Sequence, residues 1–349
     1  MRILEIGDKI LTESDCFFIA EIGSNHMGDP DICEKMIRAV ARTGADAVKL
    51  QKRDNRAMFT KTYLARPYEN ELSYGKTYGE HREHLDWFGE AEYIRFKKVA
   101  TDEGLLFFAT PFEETSAEFL HGIGVPMWKI ASCDASNIHL IKKIACYGEP
   151  MIISTGGISG DMLKNVMDEI TNYNDNIALL HCVSVYPNSD ENVNIGAIKT
   201  LWNDFPENLI GFSTHHPGIL PMCLARAMGA SIFEAHFTLN RGWKGTDHGF
   251  SLEEKGLRQA VEDVKRVRTM LGHGLKIPLK EEINGFVSKM GKGIYLNHGM
   301  QRGEIVTHAD ICLKAPAGKL GPMAYDSVVG RMLTNDCATG EPIDLNMLE

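Results

Sequence analysis

Short apolar runs alternate with amphipathic stretches along the first 271 residues. Eight runs predict strands: FFIAEI (17–22), AVKLQ (47–51), LLFFAT (105–110), MWKIA (127–131), MIIST (151–155), IALLHC (177–182), LIGFS (209–213) and SIFEAHF (231–237). Segments with apolar residues at helical spacing lie between them. DPDICEKMIRAVARTG opens on an Asp cap and stops at Gly44, the start and stop signals of a helix. SAEFLHGIG, GDMLKNVMDEITNY and MCLARAMGA read the same way, and the long LEEKGLRQAVEDVKRVRTMLG ends at Gly272.

Repeated strand–helix units predict a parallel sheet with right-handed crossovers. Eight is also the number that closes a (β/α)8 TIM barrel, with a doubly wound open sheet as the alternative. Residues 53–89 interrupt the pattern with a polar, Tyr-rich loop, expected to be a lid or a dimer contact. The barrel domain is expected over 1–271, followed by a linker at 272–291 rich in Gly, Pro and mixed charge. Residues 292–349 predict a small β-rich domain with Gly turns, in which MQRGEIVTHADI and CATGEPIDLNML echo each other. At 349 residues, one large and one small domain are natural.

Net charge is −10 with no long basic block, which disfavours nucleic acid and anionic membranes as partners. No run of about 18 apolar residues predicts a membrane span, and the opening lacks the basic and apolar regions of a signal peptide. A cytoplasmic location is expected. Eight scattered Cys without CxxC spacing suit reduced thiols, not a disulfide frame or a zinc site.

In a barrel, the chemistry sits at the C-terminal strand ends. The oddest residues there are Lys49 in AVKLQ and Lys129 in MWKIA, each flanked by apolar neighbours. A buried ammonium needs an anionic partner. That partner is either an internal carboxylate such as Glu21 or Glu234, or a substrate. Two such lysines with Thr110, Ser132 and Ser154 suit a phosphate and a carboxylate. His215 and His236 end neighbouring predicted strands, with Glu234 close and His216 as a competitor. Two imidazoles with open positions suit a catalytic divalent metal. Gly156-Gly157 presents backbone N–H groups to an anion or simply marks a turn. Cys133 reads as structural, having no adjacent base.

EIGSNHMGD, VKLQ, ATPF, WKIAS, ISTG, HCVSVYP, GFSTHH and EAHFT, in this order, resemble the sialic acid synthase family. The tail KGIYLNHGM-RGEIVTHADI…VVGRML…GEPI resembles that family's SAF (antifreeze-like) domain. The resemblance implies a barrel that condenses phosphoenolpyruvate with N-acetylmannosamine, its 6-phosphate or a related sugar. It also implies a domain-swapped homodimer and a divalent metal, Mn²⁺ with Mg²⁺ or Co²⁺ as alternatives, on His215 and His236. Lys49, Thr110, Lys129, Ser132 and Ser154 map to the phosphoenolpyruvate site. Glu21, Gln51, Tyr186 and Asp247 map to the sugar, with Ser184 and Ser213 beside them and Glu234 next to the metal. Glu21 and Asp134 are the expected proton carriers.

Three departures stand out. CLKAPAG puts Lys314 and Ala315 where the family's bacterial members carry an Arg facing the acyl group. Asp134 replaces a Glu. RPYENELSYGKTYGEHREHL, GWKGTDH and Ser184 resemble the N-acylneuraminate-9-phosphate synthase branch, with Arg66, Arg82 and Arg241 as candidates for a second phosphate. Rival readings are a synthase for legionaminic, pseudaminic or deaminated (KDN) acid, a Kdo-8-phosphate or DAHP type enzyme, and a non-catalytic sugar-binding barrel.

Overall fold

The computed structural model describes residues 2–349. It opens on a hairpin absent from the expected elements, β1 (Ile3–Ile6) and β2 (Lys9–Thr12), turned at Gly7-Asp8. These strands are four residues long and bury only Leu4, Ile6 and Leu11, so their apolar signal is weak.

The eight expected strands all form: β3 (Phe17–Gly23), β4 (Ala47–Lys52), β5 (Leu106–Pro111), β6 (Trp128–Ile130), β7 (Met151–Ser154), β8 (Ile177–Cys182), β9 (Leu209–Thr214) and β10 (Ile232–His236). Their order is β5-β4-β3-β10-β9-β8-β7-β6, and the ladders are parallel. That order is a cyclic run in which the first strand of the set lies beside the last. β5 and β6 pack together at the seam, so the sheet is a (β/α)8 barrel and not an open one.

Helices separate the strands as the spacing predicts. In the first, Pro30–Ala41, Asp29 Oδ1 accepts from the backbone N–H groups of Asp31 (2.8 Å) and Ile32 (3.0 Å). Its buried face is Cys33, Met36, Ile37 and Val40, the three-and-four spacing of an amphipathic helix. Loss of such a cap costs about 1 kcal/mol. No helix among the described residues is long and apolar enough to cross a membrane.

Residues 53–89 are more regular than the expected loop. They contain helices Asn55–Met58, Lys61–Leu64 and Tyr78–Asp86, the last begun by a Thr77/Glu80 capping box. Two of these helices are single turns, too short for a periodic signal. The segment is pinned across the barrel mouth: Tyr74 Oη donates to the Lys244 carbonyl (2.5 Å), and Trp87 Nε1 donates to that of Gly28 (2.8 Å).

A second compact unit begins at His273 and runs to Glu349. Part of the segment expected as linker is helical, from Lys280 to Met290. Beyond it, β11 (Gly293–Leu296) pairs antiparallel with β12 (Ile311–Lys314). The remaining pairing consists of single bridges such as Met300↔Cys337 and Leu333↔Leu348, sparser than a β-rich domain suggests. The two echoing phrases adopt the same turn. Gly303 (φ 87°) and Gly340 (φ 76°) are left-handed, and Glu304 and Glu341 each accept from the backbone N–H three residues earlier (2.7 and 2.8 Å). Their first residues, Met300 and Cys337, hydrogen-bond each other's backbone in both directions. Ile294, Leu296, Val306, Val328, Leu333 and Ile343 are among the residues forming this unit's core.

Candidate active site

The parallel registers place charged side chains side by side. His236 on β10 lies opposite Glu21 on β3, and Glu21 lies opposite Lys49 on β4. Two residues deeper, Glu234 on β10 faces Ser213 on β9, which faces Cys182 on β8. These rows floor a cavity of about 620 Å³ at the C-terminal strand ends. Of the residues expected in the site, all but Asp134 line it.

Both lysines have internal partners and also face this cavity. Lys49 forms an ion pair with Glu21, lies 3.7 Å from Glu234 Oε1 and donates to Thr110 Oγ1 (2.9 Å). Lys129 Nζ donates to Ser154 Oγ (2.6 Å) and the Ile130 carbonyl (3.1 Å), with Glu234 Oε2 at 3.8 Å. Burial pulls Lys129 below the usual lysine range against the attraction of Glu234. Burial also opposes the charge on Glu234, but Lys129 and Lys49 together outweigh it and hold that carboxyl low. The cavity floor is thus an alternating set of two ammonium and two carboxylate groups.

Ser132 Oγ accepts the Gly156 N–H (3.0 Å), so that amide is already engaged and the Gly pair does not cradle an anion through it. Glycine is required at 156 by close approach: a Cβ would stand 2.4 Å from Ser184 Oγ and 2.8 Å from Ser132 Oγ.

His215 Nδ1 contacts the Val183 carbonyl (3.0 Å). A carbonyl only accepts, so the proton sits on Nδ1 and Nε2 keeps its lone pair. Burial lowers the His215 pKa to about 4, leaving the ring neutral near pH 7. His236 Nδ1 is buried without a hydrogen-bond partner, 3.7 Å from Asp247 Oδ2. The two ring centroids are 5.4 Å apart, with Phe250 packed on both. Among the described residues no group of three or more His, Cys, Asp or Glu is gathered to hold a metal. The free lone pair on His215 and the unpartnered nitrogen of His236 nonetheless fit a divalent ion whose other positions stay open. His216 turns away, with Nε2 3.0 Å from Asp190 Oδ1, and is no competitor.

Asp134 is the expected site residue that does not line the cavity; its Oδ1 accepts from Asn137 Nδ2 (3.0 Å) in the turn before helix Ile138–Ala145. Of the candidates for a second anion, Arg66 stacks on Tyr63 and Tyr78, and Arg241 donates to the carbonyls of Ser251 and Pro217. Arg82 alone of the three lines the cavity, and Arg53, not anticipated, lines it too. The signal for Arg53 lay in VKLQKRD, where positions 49, 51 and 53 alternate and so share a face of an extended chain.

Beside the cavity, His26 is buried against Phe88, and its Nδ1 accepts the Gly28 N–H (3.0 Å). Burial lowers its pKa to about 4, with Asp86 opposing and Arg82 adding to the shift. A depressed imidazole pKa means that the unfolded chain takes up the proton first as pH falls. Stability is therefore present above about pH 6.5 and is lost on the way down to about pH 4. At pH 5 this one residue is expected to cost about 2 kcal/mol relative to neutral pH. Thermal denaturation from pH 7 to 5 should show a falling Tm, with a shallower fall in His26→Asn; identical slopes would contradict the assignment.

The NeuB family model matches residues 36–276. Over 294 residues, 84% of this chain and 81% of that protein, the sequence is 39% identical to the N-acetylneuraminate-9-phosphate synthase of Homo sapiens. It is 31% identical to the N,N'-diacetyllegionaminic acid synthase of Legionella pneumophila, covering 93% of this chain and 92% of the relative. The crystal structure of the N-acetylneuraminic acid synthetase from Leptospira borgpetersenii, in complex with citrate, superposes with a TM-score of 0.69 at 33% identity, over 82% of this chain and 96% of that one. With a family match across more than half its length and relatives of this similarity, the chain belongs to the NeuB family of sialic acid synthases.

Proposed function

We propose that this chain condenses phosphoenolpyruvate with the aldehyde of a six-carbon sugar to give a nonulosonic acid and inorganic phosphate. The observation that carries the reading is the gathering of two buried lysines, their hydroxyl partners and two imidazoles in one cavity. The enol π pair forms the new C–C bond to the aldehyde carbon, and the aldehyde oxygen takes a proton. Water adds to the oxocarbenium-like carbon left behind, the C–O bond to phosphate breaks, and phosphate leaves with that electron pair.

Lys49 with Thr110, and Lys129 with Ser154 and Ser132, hold the phosphate and carboxylate. Glu21, between Lys49 and His236 in its row, is the carboxyl placed to move a proton at the aldehyde oxygen. Gln51, Ser184, Tyr186, Ser213 and Asp247 bind the sugar. A divalent ion held by His215 and His236, Mn²⁺ before Mg²⁺ or Co²⁺, would supply Lewis acidity at that oxygen. The reading includes a homodimer, an SAF-like second unit and a cytoplasmic setting. Exposed apolar side chains in the second unit, among them Leu275, Ile277, Leu279 and Phe286, support association with a second copy.

The test is phosphate release from phosphoenolpyruvate with N-acetylmannosamine, mannose and bacillosamine-type acceptors, with Mn²⁺ and after chelation. Acceptor-dependent release is expected, falling about 100-fold or more on chelation and returning with Mn²⁺. Sugar binding with no phosphate release from any acceptor would instead describe a non-catalytic barrel.

A further inference from the structure

Four buried polar side chains have no part in the steps above. Asn25, Thr238, His248 and Ser251 are each at most 1% exposed, and none of them lines the cavity. Burying such groups is unfavourable unless they are hydrogen-bonded. All four serve one stretch of chain, residues 238–251 between β10 and helix Glu254–Leu271. That stretch has no regular secondary structure, and it carries Asp247 into the cavity.

The two ends of the stretch are joined. Phe237 and Leu252 form a parallel bridge; the Leu252 N–H donates to the His236 carbonyl (2.7 Å) and the Thr238 N–H to that of Leu252 (3.0 Å). A loop with close ends that is packed by its own side chains is an Ω-loop. His248 supplies that packing. Its Nδ1 lies 2.7 Å from Thr238 Oγ1, which also accepts the Asn240 N–H (3.1 Å). Trp243 stands nearly perpendicular to the imidazole, with 6.1 Å between ring centroids. The backbone crosses the ring so closely that a Cβ on Gly245 would be 2.7 Å from Cδ2.

A second tie anchors the loop to the barrel. Asn25 follows β3, the strand that carries Glu21. Its Nδ2 donates to the Phe237 carbonyl and to Ser251 Oγ (both 2.9 Å). Ser251 Oγ in turn donates to the Asp247 carbonyl (2.5 Å). Carbonyls only accept, so the direction of every bond in this chain is fixed. The tie ends on Asp247 itself, whose Oδ2 stands 3.7 Å from His236 Nδ1. A fastening needed only for stability could end on any carbonyl of the loop.

We propose that Asn25, His248 and Ser251 are positioning residues that prefold residues 238–251 and so fix the Asp247 carboxylate at the acceptor end of the cavity. A carboxylate on a loose loop would lose freedom each time a sugar binds, and that ordering costs affinity and rate. Here the ordering is complete once the chain has folded. Asn25 also sets Asp247 against Glu21, because it follows the strand of one and holds the loop of the other. The enolpyruvate groups Lys49, Thr110, Lys129 and Ser154 lie on β4 to β7 and are engaged by neither tie. The role of Asp247 toward the acceptor rests on the condensation reading.

Two measurements separate the positioning role from the reaction. The first is hydrogen exchange of the free chain, which needs no ligand. The hydrogen-bonded amides of residues 238–252 are expected to exchange slowly in the native sequence. In Ser251→Ala and in Asn25→Ala they should exchange at least about tenfold faster, with β3 to β10 unchanged. The second is a double-mutant cycle. Ser251→Ala should lower kcat/KM for the fastest of the acceptors above about tenfold, but less than about twofold when Asp247→Ala is already present. A positioning residue acts only through what it positions. Calorimetric affinity of Ser251→Ala for phosphoenolpyruvate should stay within about twofold of the native value. Exchange as fast in the native sequence as in both variants would overturn the proposal. So would equal losses from Ser251→Ala with and without the Asp247 carboxylate. If no acceptor turns over, the condensation reading falls, and the same cycle is read on the calorimetric affinity of N-acetylmannosamine. Coupled losses there would support the positioning role, and equal losses would remove it.

Discussion

Lys49→Met is expected to lower kcat/KM for phosphoenolpyruvate by about a thousandfold and to destabilise the barrel by about 3–5 kcal/mol. The second effect arises because buried Glu21 would lose its ion pair with Lys49, while buried Glu234 would keep only Lys129. Losing one member of a buried charge set leaves the other desolvated and unpaired, which costs more than the pair was worth. The double substitution Lys49→Met/Glu21→Gln removes one charge of each sign, and most of the lost stability should return. Turnover should stay low, because the cation for the enolpyruvate and the proton carrier at the aldehyde are both missing. Denaturant unfolding and steady-state kinetics on both variants test this. If stability and turnover recover together, Lys49 is an internal partner for Glu21 and nothing more.

His236→Ala carries the other large effect. Its Nδ1 has no protein partner, so removal breaks no hydrogen bond, and the stability change should stay within about 1 kcal/mol. Metal-dependent turnover is expected to fall about a thousandfold, and the metal content per chain, read by elemental analysis, should fall with it. A variant that keeps both its metal and its rate would refute the assignment of His236. The paired readout matters because loss of rate alone could reflect a misplaced Asp247, 3.7 Å away.

The barrel strands were legible because each is a compact apolar run between turn residues. The helix after Asp29 was legible because its cap and stop residues are local. Lys49 and Lys129 were visible as charges in apolar runs, and the two strand-end histidines as a pair. Less was legible where the controlling contacts are distant or the element is short. The N-terminal hairpin has four-residue strands, and the helices inside 53–89 are too brief for periodicity. Asp134 was read as a proton carrier from its place after a strand, but the fold sets it off the cavity lining, with its Oδ1 accepting from Asn137.

The residues themselves determined that this chain makes repeated strand–helix units and carries ammonium, carboxylate and imidazole groups at the ends of buried strands. Hydrophobic burial and capping act within a few neighbours, so both features are written locally. Only the folded barrel decided which charges meet: Glu21 opposite Lys49, Glu234 between two lysines, Arg53 beside Arg82, and His216 turned away from His215. Those pairings depend on the register between strands far apart in sequence and on how the mouth segments cross the barrel. Neither leaves a trace in the order of residues along a single strand.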